Sequence, residues 1–401
     1  MEQEPIKKQN ILGITGVWTG AYAFFYEGVE ISKGMPAFNN VFLRLLNDKR
    51  VDKLHLILFV DKSDVSLNIP EKYTDKIVIY PFNFNSRKKI FSLFLFLKVI
   101  IKGISIVNKE KINQIVGFGS LAGLTAIIGK LTSIPDYRRL YGSFLINEIK
   151  SSKLKLFLKH PLEYICFAFA GKGLLITNDG TKGNVVFDKL GSKKLPFFFP
   201  LNGVDQNIKK NATKPKIELP NSFLSYVARI NDWKRQHLLV QALAILKKQD
   251  LILPKTFIIG SFHDQNYIKY LKNLIKESDL LEDVFLIDGL PISEVHYVLE
   301  RSLITYSLYH TSNLGNVFLE SMKLGTPVIA LNDTDSLSLI DKNAFFELKD
   351  DDPSVIADAT LKLLKNDYLR EELSKNAEIY AEKNLLSWDE RALYEINIIL
   401  D

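Results

Sequence analysis

Short apolar runs alternate with longer amphipathic ones along this chain, and the alternation starts twice. The first series places strands at Asn10–Val17, His55–Val60, Ile77–Tyr80 and Gln114–Phe118, with helix-like stretches Phe38–Asn47, Ile90–Asn108 and Leu121–Leu131 among them. Gly173–Thr177 and Leu195–Phe199 close it. The second opens at strand Ser222–Val227, then runs helix His237–Lys247, strand Lys255–Ile259, helix Tyr267–Ser278 and strand Val284–Ile287. Helix Ile292–Glu300, strand Ile304–Ser307, helix Asn316–Leu324, strand Pro327–Ala330 and strand Phe345–Leu348 follow, with helices Pro353–Leu364 and Tyr368–Asn384 last. Strands joined through helices are parallel, and a parallel sheet is covered on both faces. The predicted fold class is therefore α/β, with two Rossmann-like domains. A polar stretch with prolines inside Asn202–Leu219 reads as the boundary.

Composition narrows the class further. A chain of 401 residues, 47% hydrophobic and 24% charged, has ordinary globular composition and length for two or three domains. The single cysteine, Cys166, excludes an internal disulfide and a cysteine-based metal site, and suggests a reducing compartment. The opening MEQEPIKKQN does not read as a signal peptide, and no window offers the ~20 uncharged apolar residues of a membrane span. The expected location is cytoplasmic. The net charge of +6 is unevenly spread. Met1–Pro200 carries 29 Lys+Arg against 16 Asp+Glu, whereas Leu201–Asp401 carries 23 against 30. A basic half meets an anionic partner. Nucleic acid is not expected, since zinc-finger spacing, RNP-like aromatics and basic heptads are all missing. An anionic membrane surface on the inner leaflet is the better match. Lys88–Lys109 and Lys150–Lys159 are basic, bulky apolar stretches. They read either as interfacial helices or as ordinary sheet-covering helices with snorkelling lysines.

The most specific stretch is Ser312–Ala330, SNLGNVFLESMKLGTPVIA. A polar turn with Gly315 leads into an apolar helix carrying one acid, Glu320; Gly325 stops the helix and a short strand follows. A helix start behind a glycine turn aims free N–H groups at one spot, which suits a phosphate. Glu320, a turn or so in, is placed to accept hydrogen bonds from vicinal sugar hydroxyls. The pattern suggests a sugar-nucleotide site. Arg229 and Lys234 follow the strand ending in Tyr226-Val227-Ala228 and precede an amphipathic helix. A guanidinium fork and a mobile ammonium both suit diphosphate oxygens.

With Pro200-Leu201-Asn202-Gly203-Val204-Asp205, the R-x4-K spacing of Arg229 and Lys234, the Ser312–Ala330 stretch and the final helix from Trp388, the chain resembles the retaining GT-B glycosyltransferases of glycosyltransferase family 4. The resemblance covers Phe198–Asp401, roughly half of the chain. It implies two Rossmann-like domains facing each other across a cleft. The boundaries expected are 1–203 for an acceptor-binding domain, with helix 385–401 packing back on it, and 204–384 for a nucleotide-sugar-binding domain. It implies a hexose transfer from a nucleoside-diphosphate sugar, UDP-sugar by preference, to a hydroxyl acceptor, a glycan or lipid-linked glycan of a bacterial surface. No cofactor and no metal are implied. The alternative is a catalytically inactive GT-B subunit that binds a glycan or protein partner. A GT-B nucleotide-sugar epimerase is a third reading, without the cleft carboxylates and histidines it needs.

Carried over residue by residue, the resemblance makes Arg229, Lys234 and Tyr141 catalytic. It makes Glu320, Ser312, Asn313, Leu314, Gly315, Asn316, Gly34 and Leu290 donor-binding, and Arg138, Arg139 and Gly20 acceptor-binding. Two departures stand out. The first acid of the family's two-acid motif falls on Ser312, and no histidine lies between His55 and His160 where relatives carry one. A front-face transfer does not need that base, because the leaving phosphate accepts the acceptor proton. The insert Thr19–Pro36 predicts a small hairpin from Tyr22–Tyr26 and Val29–Ser32, or an aromatic lid. Asp333-Thr334-Asp335 spells a DxD but reads as a turn. His310 precedes the Ser312 loop and is a candidate to line it.

Overall fold

The computed structural model describes residues 8–17, 21–30, 36–61, 66–84, 89–262, 264–332, 337 and 340–401. The first apolar series folds as β1 (Gln9–Gly16), α1 (Pro36–Asn47), β2 (Val51–Val60), β3 (Ile77–Asn83), α2 (Lys89–Lys109), β4 (Ile112–Phe118) and α3 (Ala122–Thr132). It continues through β5 (Asp136–Leu140), α4 (Lys153–Lys159), α5 (Pro161–Ala168), β6 (Gly173–Ile176), α6 (Gly183–Leu190) and β7 (Phe197–Phe198). Its seven strands lie in the order β3-β2-β1-β4-β5-β6-β7, each pair parallel. The near-continuous apolar runs are explained by this arrangement: the central strands are buried on both faces. On one face Phe38, Phe42, Leu45 and Leu46 of α1 pack with Ile396 and Ile399 of the final helix; on the other Val99, Leu124 and Ile128 of α2 and α3 close the core.

The second series gives α7 (Ile208–Asn211), β8 (Phe223–Val227), α8 (Gln236–Lys247), β9 (Lys255–Ile259), α9 (Gln265–Glu277), β10 (Val284–Ile287) and α10 (Ile292–Arg301). It ends with β11 (Ile304–Ser307), α11 (Asn316–Leu324), β12 (Val328–Leu331), β13 (Phe346–Leu348), α12 (Pro353–Lys365) and α13 (Asp367–Asn384). Six parallel strands lie in the order β10-β9-β8-β11-β12-β13. Their core is built from Leu239, Leu243, Leu271, Tyr306, Ile329 and Ile356. The chain divides into two compact units, 1–178 with 182–201 and 388–401, and 179–181 with 202–387. The stretch read as a linker is thus part of the second unit: Val204 and Ile208 are buried, and Val204 N donates to Leu386 O at 2.9 Å.

The last helix, α14 (Trp388–Leu400), belongs to the first unit and is held by polar as well as apolar contacts. Arg139 Nε lies 2.7 Å from Glu395 Oε2, and Arg391 Nη1 lies 2.6 Å from Glu395 Oε1, all three side chains buried. Gln9 and Gln114 both donate to Leu400 O, at 3.1 and 3.3 Å. Strand β5 escapes an apolar-run reading because its sequence, DYRRL, carries three charges that are paired inside the fold.

Tyr22–Tyr26 does not form an arm of the expected hairpin; the other arm, Val29–Ser32, lies partly outside the described residues. Ala23–Glu27 makes a single π-helical turn that places Phe24 and Phe25 in the core against Phe42. Two adjacent phenylalanines bury more apolar area there than a solvent-facing lid would allow. Among the described residues, no helix is long and apolar enough to cross a membrane.

Candidate functional site

In the second sheet β8 sits between β9, its successor in sequence, and β11. The loops after β8 and β11 therefore diverge from a topological switch point, where open parallel sheets bind ligands beyond the carboxyl ends of their strands. Both motifs singled out in the sequence fall on these two loops.

The loop after β8 is fixed by its own main chain and by two buried side chains. Asn231 Oδ1 accepts from Lys234 N at 3.1 Å, closing Asp232–Lys234 as one 3₁₀ turn. Tyr226 donates its hydroxyl to Lys234 O and accepts from Leu308 N at 3.2 Å, so one phenol ties the two loops together. Gln236 Nε2 donates to Arg229 O at 2.9 Å. These bonds hold the backbone and leave the cationic ends uncommitted. Arg229 is exposed, with no carboxylate partner among the described residues. Lys234 Nζ lies 3.4 Å from the centroid of the buried Tyr309 ring, a cation–π seat. Burial, with the neighbouring charge of Arg229, pulls the Lys234 ammonium down to about 8, against the opposing pull of Asp179. A cation held this way is poorly compensated by the protein and is ready for an anion.

The loop after β11 is built around Asn313. Its Oδ1 accepts from Tyr309 N at 2.7 Å and Ser307 Oγ at 3.1 Å, and its Nδ2 donates to Tyr309 O at 3.0 Å. The expectation that the Asn313 side chain contacts a donor is thereby corrected: its amide is fully buried and used to shape the turn. Leu314 is buried too, so its side chain is core rather than ligand-facing. Ser312 has a left-handed backbone, φ 72°, and donates to Asp179 O at 2.8 Å. Gly315 caps α11, and the first cap-crossing bond runs from Leu319 N to Gly315 O at 3.2 Å. The amides of the first turn are left to point out of the helix start. Asn202 Nδ2 donates to Asn316 Oδ1 at 2.6 Å, which positions that start. Gly325, at φ 75°, ends the helix in the left-handed cap that glycine adopts without strain.

Glu320 lies on the second turn of α11 and is only 9% exposed. Among the described residues it accepts no hydrogen bond; its one charge-capable neighbour is His296 on α10, with Nε2 at 3.7 Å. Neither ring nitrogen of His296 has a hydrogen-bond partner. The Glu320 carboxylate oxygens are thus free of protein donors among the described residues and open to a ligand's hydroxyls.

The remaining sequence candidates are placed as follows. Leu290 is half-buried in the loop after β10, at the far edge of the sheet from β11. His310 is exposed, with its ring 5.5 Å from that of Trp233. Gly20, Gly34 and Asp333-Thr334-Asp335 lie outside the described residues. In the first unit, Arg138 and Arg139 are corrected from acceptor contacts to structural cations. Arg138 is fully buried, with Nε 2.6 Å from Asp136 Oδ2 and its remaining nitrogens donating to the carbonyls of Cys166, Phe169 and Ala170. Arg139 is equally enclosed by Glu395 and Leu140 O. Tyr141, at the end of β5, packs its ring on Arg139 and Phe38, while its hydroxyl finds no partner among the described residues. Burial pushes that phenol far up, so it stays protonated and is available only as a hydrogen-bonding group. No group of three or more His, Cys, Asp or Glu that would hold a metal occurs among the described residues.

Comparison with known proteins fits this geometry. Residues 207–380, which hold both switch-point loops, match the family "Glycosyl transferases group 1". The fold is the one shared by GT-B glycosyltransferases. It is seen in the Anabaena protein HepE in complex with UDP and glucose, at 15% identity and a TM-score of 0.67, covering 97% of this chain and 99% of that one. Sucrose-phosphate synthase from Thermosynechococcus elongatus matches at 17% identity and 0.68, covering 98% of each chain. WaaG, a glycosyltransferase involved in lipopolysaccharide biosynthesis, matches at 14% and 0.67, covering 97% and 99%. No curated protein sequence gives a significant match.

Sequence reasoning missed four residues around these loops: Tyr226 and Tyr309, which seat Lys234; His296, beside Glu320; and Asp179. Tyr226 read as a strand residue, and Tyr309 and His296 belong to no motif singled out in the sequence. Asp179 carried a usable signal, the Asp-Gly turn dipeptide directly after a strand.

Proposed function

We propose that this protein is a glycosyltransferase that moves a hexose from a UDP-sugar to a hydroxyl acceptor, retaining the anomeric configuration. The observation that carries the reading is Glu320: a nearly buried carboxylate that accepts no hydrogen bond among the described residues, on the second turn of the helix after the loop that Tyr226 ties to that of Lys234. Ribose hydroxyls supply the donors Glu320 lacks. Lys234 and Arg229 offset the charge that develops on the departing diphosphate. In a front-face step the bond from the anomeric carbon to the phosphate oxygen breaks. The acceptor oxygen bonds that carbon on the same face, and its proton passes to the leaving phosphate. UDP is favoured as the nucleotide because HepE is known with UDP and with UDP-glucose.

The test is a screen of purified protein against UDP- and GDP-sugars, following released nucleoside diphosphate with and without glycan acceptors. UDP-sugar turnover is expected, and it should survive EDTA, because Arg229 and Lys234 can supply the positive charge that a metal otherwise would. Loss on chelation, restored by Mg²⁺, would overturn metal independence; no release from any donor would overturn the reading.

A bacterial surface glycan, lipid-linked, is the proposed acceptor class, reached from the cytoplasmic leaflet. Its support is the exposed apolar and basic surface of α4. Leu154, Phe157 and Leu158 are exposed, as is Phe144 just before them, and Lys150, Lys153 and Lys155 have no acidic partner among the described residues. Lys159 does have one, Glu148. Interfacial helices combine such bulky apolar side chains with lysines worth on the order of 1 kcal/mol each near anionic lipid. Sedimentation with phosphatidylglycerol vesicles at low salt is expected to retain wild type and to lose the Lys150→Glu/Lys153→Glu/Lys155→Glu variant. Equal retention of both, or none of wild type, would mean that this helix face is merely solvated.

A further inference from the structure

Segment Asp179–Thr181 is three residues long, yet it belongs to the second unit, while the residues on both sides of it belong to the first. It is pinned against the loop after β11. Ser312 Oγ donates to Asp179 O at 2.8 Å. Gly180 has φ 90° and approaches so closely that a Cβ there would lie 2.8 Å from Ser312 Cα and 3.1 Å from Asn313 N. Only glycine fits both constraints. The Asp179 side chain is therefore set beside Ser312 by backbone that has little freedom to move.

Its carboxylate is not consumed by the fold. Thr181 N donates to Oδ1 at 3.0 Å, closing an Asx turn, and no ion pair engages the group among the described residues. Burial pushes the carboxyl up, against the hydrogen bonds of Thr181 and the charge of Lys234. Lys234 in turn feels Asp179 as the carboxylate that opposes its own deprotonation. The acid thus interacts electrostatically with the same cation to which the diphosphate is assigned. Ser312 itself offers no carboxylate, and its hydroxyl proton is already directed at Asp179 O.

A sugar attached to that diphosphate must begin within one bond of the phosphate held by Lys234. Asp179 is an acid held against the Ser312 loop, within electrostatic reach of Lys234, with Oδ2 in no ion pair among the described residues. We propose that the Asp179 carboxylate binds hydroxyl groups of the donor sugar and so determines which sugar is accepted. Resting on the nucleotide site proposed above, this assigns to a residue of the Asp-Gly turn the recognition that Ser312 cannot perform. Hydroxyl pairs suit a carboxylate with a free oxygen, and hydrogen bonds to a charged acceptor are the strong class.

Affinities of wild type and Asp179→Asn are measured for UDP, UDP-glucose, UDP-galactose and UDP-N-acetylglucosamine. Asn keeps the acceptor oxygen for Thr181 N, so the turn is preserved. UDP is expected to bind both proteins alike, whereas the best UDP-sugar loses about 10-fold or more in the variant. Unchanged UDP-sugar affinity, or an equal fall for UDP and UDP-sugar, overturns the role of Asp179 and leaves the nucleotide site standing. Wild type that binds none of the four overturns both.

Discussion

Lys234→Ala is expected to lower turnover by about 10²-fold or more, the size seen when one preorganised charge-stabilising group is removed. The effect should fall mainly on kcat, because the charge on the diphosphate is largest as the glycosidic bond breaks. A pH signature separates this from a structural role. The free Lys234 ammonium titrates near 8, drawn down first by burial and then by Arg229. In the free enzyme the charge is therefore present below pH 8 and lost as pH rises through it, whereas a bound diphosphate holds the proton on. Apparent kcat/KM should fall above pH 8 in wild type, with one proton taken up on UDP binding there. Lys234→Arg, whose guanidinium stays charged, should flatten that limb. A wild-type profile level from pH 7 to 10, or full turnover in Lys234→Ala, contradicts the assignment.

The same shift carries a stability consequence. Because the folded value lies below the ordinary lysine value of 10.5, charging Lys234 costs stability, fully so below pH 8. That cost declines between pH 8 and 10.5. Bound UDP removes it at neutral pH, one more reason for ligand binding to raise the unfolding temperature.

The largest stability effect is expected at Glu395, in the core of the first unit. Glu395→Ala leaves the guanidiniums of Arg139 and Arg391 buried together without their shared carboxylate. Burial already pulls Arg391 down, although Glu395 pulls it up. Removing one member of a buried charge network costs about 3–5 kcal/mol, because the others keep their desolvation penalty. For a unit of this size, that is a drop of about 10 °C in the first thermal transition. The triple variant Arg139→Leu/Arg391→Met/Glu395→Leu should recover most of it, since an apolar replacement of a whole buried network is close to neutral. Calorimetry of the two variants decides the matter: an unchanged transition in Glu395→Ala would show that α14 is held by its apolar face alone.

The fold was legible where periodicity controls it. Val284–Ile287 and Ile304–Ser307 are short apolar runs between amphipathic helices, and both form strands at the expected residues. Legibility failed where burial is polar. Asp136–Leu140 hides a central strand because its two arginines find carboxylates and carbonyls only in the folded state. The same failure misled the site reading in the first unit, where Arg138 and Arg139 resemble free phosphate ligands in sequence. Tyr22–Tyr26 failed for a different reason: five residues are too few for periodicity to distinguish a turn from a strand. In the second unit the motifs singled out in the sequence fall on the two switch-point loops, with Glu320 on the helix that follows the second. Which loop side chains face inward was not readable. Asn313 looked like a ligand because amides usually are exposed, yet it is the post around which its loop is built.

The central claim is that Glu320 and the switch-point cations form one nucleotide site. Calorimetric titration of UDP into wild type and Glu320→Ala, in EDTA, tests it most directly. The account predicts binding by wild type and a loss of about 10-fold or more in the variant, the worth of hydrogen bonds to a charged acceptor. No binding by wild type, or equal affinity in the two proteins, would contradict it.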